Sequence, residues 1–340
     1  FTHSYWLYTI SRMIMGFGGS MIIVFINSFV AKFIPNDKKI ITSTIITAAY
    51  NIGAALVAIL FLLFKKYFVI DWRYTMIGFS IFSIILLAFW ILFSRDFEPT
   101  VTWKHPNHFV YESLMRSKEA IHQVEEKKYT YVDGFKDKFI YIFSLGFGGF
   151  LFLYVMPLVS LPRVITEHAN NPHFKPEVMI LTVTIGGLFG TLFSLLVTRR
   201  LDFRRKPFLM IHGVLMIGFM AIGLLCVSNN VIISYIMFAL SGFFMYSQYP
   251  IYLNIPYELP KMNSQRLTIM FGIFWAFGYA IYTLFNFSWS LVLNHMGYNA
   301  SLIFYLVGSL TYIIFVAEFP ETRPKTSNIK LKLFGINVVI

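Results

Sequence analysis

Residues 139–161 read FIYIFSLGFGGFLFLYVMPLVSL, a run with no charged side chain between Lys138 and Arg163. A helix of about 20 apolar residues crosses about 30 Å of hydrocarbon. The apolar residues here cover every face. A soluble core would scatter them with a period of 3.6 or 2. A helix that is apolar all round belongs in lipid or deep inside a large protein. Eight more blocks of this kind flank it. Together the candidate spans are 5–30, 41–64, 74–93, 139–161, 177–198, 208–227, 231–255, 267–292 and 301–319. Their connections carry chain breakers: Pro35-Asn36-Asp37, Pro162, Pro172, Pro176, Asn229-Asn230, Pro260 and Gly297.

Composition removes the soluble alternative. Only 13% of the 340 residues are charged and 57% are hydrophobic. Soluble domains carry nearer a quarter charged residues, because they need a polar skin. The fold class is therefore an all-α integral membrane protein. The formal net charge of +12 would suggest nucleic acid in a soluble chain. Here the cations sit at helix ends, so the expected partners are anionic lipid head groups and no nucleic acid.

Sidedness follows from Lys and Arg. With the first span running inward, 22 of them fall on the cytoplasmic side and five outside. The cluster Arg204-Arg205-Lys206 weighs most, because it lies in a short loop. The chain is thus expected in the plasma membrane as a multi-pass protein. Its division is 1–93 as three helices of an N-terminal bundle, 94–138 as a cytoplasmic linker, 139–322 as a six-helix bundle and 323–340 as a cytoplasmic tail. In the linker, Val110, Leu114, Ile121 and Val124 fall near one helical face among mixed charges. That pattern suits an amphipathic helix on the membrane surface, or a charged linker. The chain opens on Phe1 with a span almost at once, and an odd number of spans separates the termini. The expectation is that a further upstream part belongs to the protein.

Polar groups in hydrocarbon are costly, so each needs a reason. Arg12 stands out, deep within the first span. It reads either as an anchor beside a solute path or as a structural cation that snorkels or bonds neighbouring helices. Trp275, Tyr279, Tyr282 and Asn286 repeat at i, i+4, i+7 and i+11 and share one helical face. Aromatic rings with polar tips can stack on a solute and hydrogen-bond to it, or simply fill a core. Ser241, Met245, Gln248 and Tyr252 form a second stripe beside Pro250. Gln248 and Tyr246 are cavity candidates there, with helix–helix hydrogen bonding as the alternative. Asn27, Thr47, Asn51 and Tyr154 are further candidates. Gly186 and Gly190 form a small-xxx-small face continued by Ser194, which reads as close helix contact.

Several chemistries find no support. There is no G-x-S-x-G, H-E-x-x-H or phosphate-cradling loop. The single cysteine, Cys226, lies in an apolar run, and no metal-ligand or haem spacing occurs. No catalytic residue, metal or cofactor is expected, and the chain is not read as an enzyme. No Asp or Glu lies near the middle of any span.

The motifs along the chain, in order, resemble the major facilitator superfamily from its fourth helix to its twelfth. Arg12-x-x-x-Gly16-x-Gly18-Gly19 is similar to the arginine–glycine motif of the fourth helix. Pro35 to Lys39 resembles the turn that follows it. Trp72-Arg73-Tyr74 resembles the opening of the sixth helix. Glu258-Leu259-Pro260 with Arg266 resembles the turn between helices ten and eleven. Phe319-Pro320-Glu321-Thr322-Arg323 resembles the Pro-Glu-Thr-basic ending of sugar-porter-like members. Two departures leave the subfamily open: Asp202-Phe203-Arg204-Arg205-Lys206 lacks the expected glycine, and Lys32 stands where the fourth helix usually ends in an acid.

The resemblance implies a carrier that works by alternating access around a midplane cavity. It implies that Arg12 borders that cavity. It also implies that Lys39, Arg73, Arg204, Arg205, Glu258, Arg266 and Glu321 belong to the turns that gate it. The expected solute is small and polar, a sugar or sugar derivative, and the carrier is expected to be monomeric. Two other functions stay open: efflux of amphipathic compounds, and a membrane sensor that keeps the carrier fold without transporting.

Overall fold

The computed structural model describes residues 129–322 apart from 170, 201, 202, 260, 261 and 263. It also describes 39–68, 72–93, the positions 6, 7, 10, 11, 13, 14, 26, 30 and 34, and two short strands near the C-terminus. The helices are α1 (Lys39–Phe68), α2 (Trp72–Phe93), α3 (Tyr131–Lys136), α4 (Lys138–Val159), α5 (Leu161–His168) and α6 (Pro176–Arg200). They continue with α7 (Arg205–Cys226), α8 (Val231–Glu258), α9 (Ser264–Met296), α10 (Tyr298–Ser309) and α11 (Thr311–Ala317). Strands β1 (Lys330–Leu333) and β2 (Ile336–Val339) pair antiparallel.

Seven described helices are long and apolar enough to cross a membrane: Ile41–Phe64, Lys138–Val159, Pro176–Val197, Arg205–Cys226, Val231–Glu258, Gln265–Met296 and Tyr298–Ala317. The apolar part of α2, Ile77–Phe93, is shorter. Most of the predicted 5–30 span lies outside the described residues, as does most of the 94–138 linker. The end of that linker forms α3.

The chain forms two compact units. One comprises residues 1–3 and 64–130, and the other residues 4–63 and 131–340. In the first, the described side chains of α2 from Ile77 to Phe93 are exposed, as suits a lipid-facing helix. In the second, α4 is the most enclosed helix. It packs chiefly on α9 and α11, while α8 packs on α6 and α7. Outward-facing Phe189, Leu192, Leu196, Leu225, Ile232, Leu284, Phe287 and Ile303 give this unit an apolar surface. In water such a surface would drive association; in lipid it is the natural solvent contact.

Two predicted boundaries change, and each change has a local cause. The 139–161 span stops at Val159, and Ser160 caps it before α5 begins. Pro162 sits in the first turn of α5, where its missing N–H has no helical acceptor to lose. The 301–319 span is interrupted at Leu310 between α10 and α11. Gly297 starts α10 with φ +86°, a backbone conformation that residues with a Cβ rarely adopt.

Along α5, Arg163 Nε donates to Glu167 Oε1 one turn on at 2.7 Å. That hydrogen bond holds the Glu167 carboxyl below its ordinary value. A lowered folded value means the pair helps at neutral pH and stops helping as pH falls through the carboxylate range. Both groups are solvent-exposed, so the help is small.

The α6–α8 crossing rests on small residues, as the Gly186/Gly190 spacing predicts. A Cβ at Gly186 would sit 1.9 Å from the Ala239 carbonyl oxygen, and one at Gly190 2.1 Å from that of Phe243. From the other helix, a Cβ at Gly242 would meet the Val183 carbonyl at 2.2 Å. Interhelical hydrogen bonds tie α8 to its other neighbour, α7. Ser241 Oγ donates to Met216 O at 2.8 Å and Ser234 Oγ to Gly223 O at 2.7 Å, both from α8 to α7.

Candidate solute cavity

Within the second unit, four helices and Ile26 line a partly open cavity of about 330 Å³. Ser43, Ile46, Thr47 and Tyr50 line it from α1, at the i, i+3, i+4, i+7 spacing of one helical face. Leu151, Tyr154 and Val155 come from α4, Tyr249 and Leu253 from α8, and Trp275 and Tyr279 from α9. No charged residue is among these lining residues.

Ring contacts tie the walls together. Tyr50 and Tyr154 lie 6.0 Å apart between centroids, so α1 meets α4 through tilted phenols. Trp275 and Tyr279 stack at 5.7 Å. Tyr249 stacks on Phe150 at 5.3 Å, against the wall of α4. Offset and edge-to-face arrangements of this kind are the favourable ones for aromatic quadrupoles. The hydroxyl of Thr47 donates to the Ser43 carbonyl at 2.8 Å within its own helix. The polar side chains of the lining are chiefly the tyrosines Tyr50, Tyr154, Tyr249 and Tyr279, with Ser43 and Thr47.

Four of the predicted cavity residues, Thr47, Tyr154, Trp275 and Tyr279, line this space. Tyr246 is fully buried beside it, edge-on to Tyr154 at 5.3 Å. Gln248 is also fully buried but is engaged elsewhere: it donates to Met216 Sδ at 2.9 Å and accepts from Tyr312 at 2.6 Å. Asn51 is buried against α6, donating to Thr191 Oγ1 at 3.3 Å. Tyr282 and Asn286 continue along α9, half-buried and outside the lining set. Arg12 and Asn27 lie outside the described residues.

Sequence reasoning missed Tyr50 and Tyr249. The Ser241–Gln248–Tyr252 stripe that it favoured on α8 is used for bonds to α7, α11 and α4. Tyr252, for instance, donates to the Phe143 carbonyl. The cavity face of α8 is the adjacent one, Tyr249 and Leu253 at i and i+4. That spacing was available as a signal.

The predicted gating residues separate into two clusters. Arg205 is 2% exposed, and its Nη2 lies 2.7 Å from Glu258 Oε1. Its Nε lies 3.2 Å from both carboxylate oxygens. Glu258 also accepts from Asn254 Nδ2 at 3.0 Å and from Thr322 Oγ1 at 2.6 Å. The Arg205 backbone N–H donates to Glu321 at 2.9 Å, and its guanidinium stands 4.9 Å over the Phe203 ring. Thus the start of α7, the end of α8 and the segment after α11 are bound at one point.

Separately, Arg266 Nη2 pairs with Asp137 Oδ2 at 3.0 Å, joining α9 to the start of α4. Asp137 also caps α4 by accepting from the Phe139 N–H at 3.0 Å. Sequence reasoning missed Asp137, although an acid just before an apolar run is a cap signal. Arg204 is exposed, and the side chains of Lys39 and Arg73 lie outside the described residues.

Among the described residues, no group of three His, Cys, Asp or Glu could hold a metal ion.

Comparison with known proteins gives two findings. The family model described as Major Facilitator Superfamily matches residues 1–283. Among curated proteins, the major facilitator superfamily transporter MG061 of Mycoplasma genitalium is 24% identical over 308 residues, which cover 85% of this chain and 52% of that protein. The chain spans about half the length of the curated relative it matches. The matched model covers most of the chain and agrees with its apolar helices and motif order: the chain belongs to the major facilitator superfamily.

Proposed function

We propose that the chain carries the solute site of a secondary-active or facilitative membrane transporter. Its solute is small and polar, with a sugar or sugar derivative favoured, and it moves by alternating access. The observation that carries this reading is the aromatic, hydroxyl-bearing cavity inside a bundle of membrane-length helices. Tyrosine and tryptophan faces stack on the apolar faces of a sugar ring, and the tyrosine O–H groups meet its hydroxyls. In the cycle, the Arg205–Glu258–Glu321 and Arg266–Asp137 clusters hold helix ends together while one end is closed, and rearrange as it opens. The basic loops face the cytoplasm of a plasma-membrane protein, by the 22-to-five bias of Lys and Arg.

The second reading is efflux of amphipathic compounds. The aliphatic wall of Ile26, Ile46, Leu151, Val155 and Leu253 favours it.

Uptake of labelled hexoses, measured in intact expressing cells and in proteoliposomes of the full-length protein, separates these. Saturable uptake in both is the expected result. Export of a cationic dye without hexose uptake would replace the first reading with the second. Inertness to both, with ligand-dependent binding of a partner, would make the protein a sensor.

A further inference from the structure

We infer that Gly187, a residue of α6 outside the cavity lining, fixes the size of solute that the cavity accepts. It keeps a slot for the Tyr246 ring, and that ring holds back the cavity wall. The inference rests on the reading of this cavity as the solute site and goes beyond it by naming what limits solute size.

Gly187 is buried on the α6 face that meets α8. A Cβ there would lie 2.4 Å from Cδ2 of Tyr246, 2.7 Å from Cε2 and 3.1 Å from Cγ. The bare glycine thus lets one edge of the Tyr246 ring rest against the α6 backbone. Carbon atoms in contact stand about 3.5–4.0 Å apart, so a methyl group at 187 must displace that edge by about 1 Å. α6 is held in place at this level. Gly186 and Gly190 make close contacts with the α8 backbone, and Asn51 of α1 donates to Thr191 Oγ1 at 3.3 Å. The ring is therefore the part that yields.

Tyr246 is 1% exposed, so its displacement is passed on to its neighbours. It stands edge-on to Tyr154 at 5.3 Å and 82°, and to Tyr249 at 6.5 Å and 89°. Both of these tyrosines line the cavity. Tyr154 and Tyr249 are each stacked on Phe150, at 5.9 Å and 5.3 Å, and Tyr154 also meets Tyr50 at 6.0 Å. The space left to them is the cavity itself. A side chain at 187 therefore moves the wall inward without touching the solute. A cavity of about 330 Å³ is at the small end for ligand sites, so the loss falls on bulky solutes first.

The first arm of the test reads cavity size without any solute. In a Cys226→Ala background, Val155→Cys places a thiol of similar bulk on the lining. The full-length protein in proteoliposomes is treated with 2-aminoethyl methanethiosulfonate and with a biotin-bearing methanethiosulfonate. Gly187→Ala should lower the rate with the bulky reagent relative to the small one about ten-fold, the change that one ill-fitting methyl group produces. Tyr246→Leu should raise that ratio, and the two substitutions together should return it toward the starting value. The second arm is uptake of D-glucose and of the bulkier N-acetylglucosamine. Gly187→Ala should raise KM for the bulkier sugar about ten-fold and leave kcat and the KM for glucose nearly unchanged.

A reagent ratio unaltered in folded Gly187→Ala, or an effect that Tyr246→Leu does not reverse, overturns the inference. Uptake of both sugars with KM unaltered in Gly187→Ala overturns it too. Where Gly187→Ala yields no monodisperse protein, Tyr246→Leu decides: a raised ratio supports the inference and an unchanged one overturns it. The expected reagent ratios without uptake of either sugar uphold the control of cavity size and remove the sugar reading. A Val155→Cys thiol unreactive toward both reagents removes the cavity reading and the inference with it.

Discussion

Glu258→Gln is expected to destabilise the protein by about 3 kcal/mol, read as a clear drop in melting temperature in detergent. The substitution keeps the shape of the side chain and removes its charge. Arg205, 2% exposed, would then hold a guanidinium out of water without the carboxylate that receives its Nε and Nη2. Breaking a buried pair by removing one partner costs about 3–5 kcal/mol, because the remaining charge is stranded. The lower end applies here, since the Glu258 side chain keeps 16% exposure and Glu321 remains nearby on the Arg205 backbone. Glutamine also turns an acceptor of three side-chain donors into a group that itself donates, and Asn254 and Thr322 lose charge-assisted bonds. A melting temperature within about 2 °C of wild type would show that the cluster does not hold the helix ends together.

Gly186→Leu is expected to abolish the folded protein outright. The Cβ alone would lie 1.9 Å from the Ala239 carbonyl oxygen and 2.7 Å from its carbon. Those are backbone atoms of α8, and no side-chain rotation can relieve the overlap. The two helices would have to separate along a seam where Gly190 and Gly242 make equally close approaches. Between membrane helices, close fit replaces the hydrophobic drive that acts in water, so separation removes the main attraction. Gly218→Leu is the matched control. Gly218 is exposed on α7, and a Cβ there meets nothing within 4 Å. Monodisperse elution from size-exclusion chromatography should be lost for Gly186→Leu and kept for Gly218→Leu. Equal behaviour of the two would contradict the α6–α8 contact.

The spans were readable because apolar run length is a one-dimensional property. Residues 139–161 have no other stable placement than a buried or lipid-facing helix, and α4 covers almost that range. Helix ends were less readable where a single residue sets them. Ser160 and Pro162 turn the chain into α5, a helix sequence reasoning had treated as a connection. The cavity was readable in part. The Trp275–Tyr279 face carries both rings at one helical spacing, and the cavity uses it.

On α8 the periodicity offered two adjacent polar faces and no reason to choose. Ser241 and Gln248 bond to α7 and α11, while Tyr249, one residue on from Gln248, lines the cavity. Choosing between them needs the identity of the neighbouring helix, which is non-local information. The same holds for Tyr50. Its role exists only because α1 lies opposite Tyr154, and 104 positions of sequence separate the two. The Arg205–Glu258 pair was foreshadowed by its motifs, whereas its third and fourth members, Thr322 and Asn254, are visible only once the helix ends are brought together.

Thiol accessibility at Tyr249 tests the wet cavity most directly. In a Cys226→Ala background, Tyr249→Cys is treated with a membrane-impermeant, water-soluble thiol reagent in membrane vesicles of either sidedness. Leu196→Cys, outward-facing among apolar side chains, serves as the comparison. The account predicts reaction at Tyr249→Cys, slowed by transported solute, and none at Leu196→Cys. A Tyr249→Cys thiol as unreactive as Leu196→Cys from both sides would mean that water never reaches this space, and would contradict the carrier.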